Sequence, residues 1–115
     1  MIEKIMLDYL NDVLTLPVYM ERPETPPGEY VIIQKTGASK QNHICSATMA
    51  FQSYSDTLCG AALLNEVVKE AVENSVTLPE ISSAKLNTDY NFTNTASKQY
   101  RYQAVFNITH YQEAN

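Results

Sequence analysis

Four side chains in this sequence belong to types that bind metals or form nucleophile pairs: His43, Cys45, Cys59 and His110. Their spacing fits no zinc pattern, and His43 and Cys45 stand two apart as neighbours on one face of a strand do. A cysteine–histidine nucleophile needs a setting that stabilises the thiolate, and the surrounding sequence displays none. Carboxylates pair at helical spacing twice, as Asp8 with Asp12 and as Glu66 with Glu70 and Glu73. Such pairs can do acid–base work, but a solvated helix face accounts for all five. Gly28, Gly37 and Gly60 are the only glycines, too far apart for a phosphate-cradling loop, and no serine-centred nucleophile motif occurs. The reading is therefore a protein that is not an enzyme, with no catalytic residue, cofactor or metal.

Composition narrows the class. The chain has 115 residues, 44% of them hydrophobic and 18% charged, which suits one globular domain over residues 1–115 with a core large enough to need no staple. No apolar run reaches membrane-span length. The opening "MIEKIMLDYL" carries acids inside its apolar pattern, unlike a signal peptide, so a cytosolic chain with reduced Cys45 and Cys59 is expected. Net charge is −5, from 13 acids and 8 bases, which opposes tight binding of nucleic acid.

The elements that position these groups follow from periodicity. Ile2, Ile5, Met6, Tyr9, Leu10, Val13 and Leu14 recur at helical spacing, and Thr15 and Pro17 end that helix. Val18–Glu21 reads as a short strand, followed by a stiff turn through Pro23, Pro26, Pro27 and Gly28. "YVIIQK" is the next strand, "TGASKQN" a polar hairpin loop, and His43–Tyr54 a long central strand with apolar residues on both faces. Ser55 or Asp56 caps a second helix reaching about Asn74, with Leu58, Ala61, Leu64, Val68, Ala71 and Val72 on its inner face and Leu63 on its polar side. After Pro79, the residues Ser82, Ala84, Leu86, Thr88, Tyr90 and Phe92 alternate with polar ones. In the last strand Tyr100, Tyr102, Ala104, Phe106 and Ile108 point one way, and Arg101, Gln103, Asn107 and Thr109 the other. The expected fold class is α+β: a mostly antiparallel sheet of four to five strands, two helices on one face, in the order α-β-β-β-α-β-β.

The wet face of that sheet is expected to carry Arg101, Gln103, Asn107, Thr109, Lys85, Asn87 and Asn91. "ASKQ" occurs at 38–41 and again at 96–99, in two predicted hairpin tips that share one end of the sheet. A tyrosine-rich sheet could also stack single-stranded nucleic acid, but here the aromatics fall mostly on the expected core face.

The stretches "PVYMERPETPPGEYVIIQKTG", "NHICSATMAFQSYSD" and "LNTDYNFTNTASKQYRYQAVFNITHY", with the order of elements, resemble the tail terminator or tail completion proteins of bacteriophages and prophages, which are neck and minor capsid proteins. The resemblance covers nearly the whole chain. It implies a structural protein that forms a ring, usually of six subunits, caps the tail tube and joins it to the head connector. The implied partners are other copies of the chain, the tail tube protein and head-completion or connector proteins, with DNA only as passing cargo and no membrane. The implied setting is the host cytoplasm during assembly and then the virion neck. A head-closure or joining protein of the same neck is the neighbouring reading, and a single-stranded nucleic-acid-binding sheet domain is the alternative from another class. Contacts to partners are expected from Lys40, Gln41, Asn42, Lys98, Gln99, Arg101, Gln103 and Asn107.

Overall fold

A computed structural model describes residues 1–97 and 99–111. Lys98, one of the expected contact residues, lies outside the described residues. The elements are α1 (Ile2–Val13), β1 (Val18–Tyr19), β2 (Tyr30–Gln41), β3 (Ile44–Ser55), α2 (Leu58–Glu73), a 3-10 turn (Asn74–Thr77), β4 (Ile81–Asn91) and β5 (Tyr100–Tyr111). They form one five-stranded sheet in the order β1-β2-β3-β5-β4. Every pairing is antiparallel except the two-residue parallel contact of β1 with β2. The α-β-β-β-α-β-β order and the α+β class are as expected from periodicity.

Both helices lie on one face of this sheet because one face carries the large apolar side chains. Ile2, Met6 and Leu10 of α1 and Leu64, Val68 and Val72 of α2 share one core with Val31, Ile33, Met49, Phe51, Phe106 and Ile108. Phe51 and Phe106 meet edge to face, with ring centroids 5.7 Å apart, a favourable quadrupole arrangement. Ala104, Phe106 and Ile108 are fully buried, so the expected register of the closing strand holds; Tyr100 and Tyr102 are half-buried on the same side.

Several boundaries differ from expectation, each for a local reason. The "TGASKQN" stretch is not a loop: β2 continues to Gln41, β3 begins at Ile44, and the reversal is made by Asn42 and His43 alone, with φ of 53° and 66°. Two successive residues at positive φ match the twist of the flanking strands, and asparagine tolerates that region better than most. The strand after Pro17 stops at Tyr19 rather than Glu21. The cap of α2 is Thr57, not Ser55 or Asp56; its hydroxyl accepts from the Gly60 amide at 3.0 Å. Leu58, placed on the inner face by spacing, is exposed, whereas Asn65 is buried. Thr57→Ala is expected to lower stability by about 1 kcal/mol, read as a fall in Tm with the far-ultraviolet spectrum unchanged.

Two bulges in β4 correct its facing. Its register skips between Ile81 and Ser83 and again between Leu86 and Thr88, so strict alternation fails. Ala84 and Leu86 stand opposite Ile108 and Phe106 on the helix side, whereas Tyr90 stands opposite Gln103 on the other. The extra residue at Asn87 also turns Asp89 toward α2. There it accepts from Asn65 Nδ2 at 2.9 Å and from Lys69 Nζ at 3.0 Å. A third bulge, between Lys35 and Gly37, lies in β2.

Candidate functional site

Among the described residues no helix covers the second face of the sheet, and the strand register says what stands on it. From the tip inward its rows begin with Gln41, Ile44 and Tyr111, then Ser39, Ser46 and Thr109, then Gly37, Thr48, Asn107 and Lys85. Next come Ala50 with Val105, Gln52 with Gln103 and Tyr90, and finally Tyr30 and Tyr54 with Arg101. Thr48 Oγ1 donates to Asn107 Oδ1 at 3.3 Å, and Gln52 Nε2 to Gln103 Oε1 at 2.8 Å, so cross-strand bonds tie the polar rows together. The central strand is thus covered by helices on one side only. Asp89 is the one acid in the five strands and it faces α2. Among the described residues the open face therefore carries no carboxylate, although the chain has 13 acids.

The aromatic end of this face is closed by its own side chains. Tyr30 and Tyr54 stack with centroids 4.5 Å apart and planes 4° from parallel, and with Ile32 they form a second small core. The Arg101 guanidinium donates to the Phe92 carbonyl at 2.7 Å and to the Tyr54 hydroxyl at 2.9 Å. It also lies 4.4 Å from the Phe92 ring centroid, a cation–π contact. Burial pushes the Tyr30 hydroxyl above the ordinary tyrosine range, partly offset by the nearby Arg22 charge. The expectation that the aromatics belong mostly to the main core is corrected here: Tyr30, Tyr54, Tyr90 and Phe92 sit on the other side.

The eight residues expected to contact partners do not converge. Lys40, Gln41 and Asn42 lie at the tip of the β2–β3 hairpin, beside Tyr111. Gln99 bridges to Asn94 at the opposite end of the sheet. With its amide oxygen turned toward Arg22, it accepts from that guanidinium at 2.6 and 3.0 Å. Arg101, Gln103 and Asn107 run along the open face between these ends. The first "ASKQ" is the end of β2, running into the hairpin tip, whereas Ala96, Ser97 and Gln99 of the second follow β4 at the far end, so the two copies do not share an end of the sheet. Of the expected wet-face residues, Lys85 is on the open face, Asn87 is a bulge, and Asn91 pairs with Tyr102 on the helix side.

Cys45 and His110, which sequence spacing did not join, are cross-strand partners, and Lys40 flanks Cys45 on its other side. These three face the helix side and line a groove of about 540 Å³ that also borders Ile2, Glu3 and Lys35 of the α1 entrance. Lys35 reaches Glu3 at 3.5 Å, and His110 Nδ1 lies 3.2 Å from the Tyr111 carbonyl. Cys59 belongs to the first turn of α2 at the other end of the sheet, and His43 to the hairpin turn. Among the described residues no three metal-ligating side chains of the His, Cys, Asp and Glu types come together, and no helix is long and apolar enough to cross a membrane.

The outer surface of α2 was partly visible in the sequence through Leu63 and missed at Val67. Leu63 is 64% exposed and Val67 53%, one turn apart, among the exposed acids Glu66, Glu70 and Glu73. The helix completes its inner face without them, through Ala61, Leu64, Asn65, Val68 and Val72. Lys69 is held by Asp89 and Glu66.

No protein-family model matches this chain, and no curated protein sequence matches it.

Proposed function

We propose that this chain is a structural subunit of a phage or prophage neck, of the tail-terminator type, that closes into a ring, caps the tail tube and joins it to the head connector. The observation that carries the reading is the bare, acid-free sheet face. A sheet with helices on one side and none on the other offers a broad flat surface for a second protein body. The resemblance of the three quoted stretches to tail terminators supplies the biological setting. In that setting the net negative charge favours passage of DNA over its retention. The function asks nothing of the Cys45–His110 groove.

Electron microscopy of the purified protein mixed with tail tubes tests the proposal. Rings seated on tube ends are expected. Tubes that keep growing, with no density added at their ends, reject it, and attachment to portal complexes alone points to the head-closure role.

A second reading is favoured by one observation, the placement of Tyr90, Phe92 and Arg101 on the open side of the sheet. Aromatic rings beside a guanidinium can stack the bases of a single strand. Arg101 is already engaged by Phe92 and Tyr54, and Tyr30 and Tyr54 are buried, so this reading ranks second. A mobility shift with single-stranded oligonucleotides that weakens with salt supports it, and no shift at low salt removes it.

A further inference from the structure

We infer that copies of this chain associate front to back, the outer surface of α2 in one copy covering the open sheet face of the next. The inference rests on the ring reading above and names its contact. Leu63 and Val67 give α2 an apolar stripe at i and i+4 that its own core does not use. Val13 of α1, 48% exposed, lines the same shallow groove as Val67. A helix with one apolar stripe facing the core and a second facing outward has a partner for the second.

The open face has the matching shape and charge. Its middle rows are built from small side chains, among them Gly37, Ser46, Thr48 and Ala50, which let a helix approach closely. Half-buried Val105 supplies apolar surface beneath it, and Ile44 and Tyr111, 43% and 52% exposed, supply more at the tip. The outer surface of α2 brings Glu66, Glu70 and Glu73. The sheet face brings no acid and two cations: Arg101, held by the Phe92 carbonyl and the Tyr54 hydroxyl, and Lys85, with which no carboxylate pairs among the described residues. Acids meeting a face of that kind attract, whereas two α2 surfaces would repel each other.

Geometry then fixes the mode of assembly. The two surfaces lie on opposite sides of one sheet, so a single chain cannot bring them together, and a two-fold pair would match each with itself. Contacts of this type are heterologous and propagate from copy to copy until a rotation closes them. The competing route, strand to strand at the sheet edges, is opposed by the bulges in β4 and in β2, which break the regular ladder an added strand needs. A nucleic-acid strand fits the face less well, because Lys85 and an Arg101 already engaged by Phe92 and Tyr54 offer little phosphate neutralisation.

The test uses sedimentation velocity with two double variants of the full chain, Leu63→Asp/Val67→Asp and Lys85→Glu/Asn107→Asp. All four positions are exposed, and circular dichroism checks that each variant keeps its fold. The wild type is expected to form concentration-dependent oligomers, and each variant alone to stay monomeric. Their equimolar mixture is expected to give a dimer and nothing larger, since one intact helix surface then meets one intact sheet face. A charge swap, Glu66→Lys/Glu70→Lys mixed with the Lys85→Glu/Asn107→Asp chain, provides a second measurement if the aspartates disturb α2. A wild type that stays monomeric up to its solubility limit overturns the inference, as do variants that oligomerise like the wild type or a mixture that stays monomeric. So does a Lys85→Glu/Asn107→Asp variant whose one defect is lost oligonucleotide binding. Tube capping separates the two layers of the argument. A chain that associates front to back without capping tubes refutes the neck reading alone, and one that caps tubes with both variants unimpaired refutes the contact alone.

Discussion

Phe106→Ala is expected to destabilise the protein by ~3–5 kcal/mol, the usual cost of emptying a core aromatic site. The Phe106 side chain is fully buried, packs edge to face on Phe51, and belongs to the core that joins both helices to the central strands. Its neighbour Asn107 is exposed on the other face of the same strand, where it accepts one hydrogen bond from Thr48. Asn107→Ala is therefore expected to change stability by well under about 1 kcal/mol. Urea titrations of the two variants make the comparison, and similar midpoints for both would contradict the register of the closing strand, since a slip by one residue exchanges their faces.

Asp89→Ala is expected to cost about 2–3 kcal/mol. The carboxylate of Asp89 satisfies the amide of Asn65, which is only 2% exposed, and the ammonium of Lys69. Removing it leaves a buried donor unpaired, and hydrogen bonds to a charged group carry that order of free energy. Lys69→Met keeps the Asn65–Asp89 bond and is expected to lose less. The same network gives the protein a pH dependence in alkali. Hydrogen bonds to Glu66 and then to Asp89 raise the pKa of Lys69 above the ordinary lysine range. A raised folded-state pKa means a stabilisation fully present below the unfolded-state value and lost as pH rises through the folded one. Thermal melts of the wild type are thus expected to fall more steeply than those of Lys69→Met over that alkaline window, and parallel curves would refute the assignment.

The architecture was legible in the sequence because each long element wears one uniform pattern. The closing strand alternates from Tyr100 to Ile108 with Val105 the one exception, and α1 holds helical spacing from Ile2 to Leu10, so their faces follow from residue type. Legibility failed where one extra residue resets the phase. Nothing in "AKLNTDYNF" marks Asn87 as a bulge, and without it Tyr90 and Asp89 are assigned to the wrong sides. It failed again at "TGASKQN", where polar side chains suggest a loop although a polar strand can run in an arm with both faces exposed. The Asn42–His43 reversal lacks the usual glycine, which hid the two-residue turn. The contact residues were harder still. Their types mark them as polar and accessible, but which of them share a surface depends on strand order, direction and register, and the antiparallel pairing of β3 with β5 puts Gln99 and Lys40 at opposite ends of the sheet. Val67 was assigned to neither face of α2 by spacing, and its exposure became visible only with the helix seated on the sheet.

The pairing of β3 with β5 runs without a break from Ile44 opposite Tyr111 to Ser55 opposite Tyr100, and each register shift falls in β2 or β4, the strands that flank this pair. The molecule measures 44 Å along its longest axis and 24 Å across, and the unbroken ladder forms its central beam, flanked by the bulged strands. A load applied at the hairpin tip along the strands is shared by all its rungs at once and reaches the tyrosine end with little slack. A body built this way can be pushed or pulled lengthwise and still hold its two ends at a constant separation.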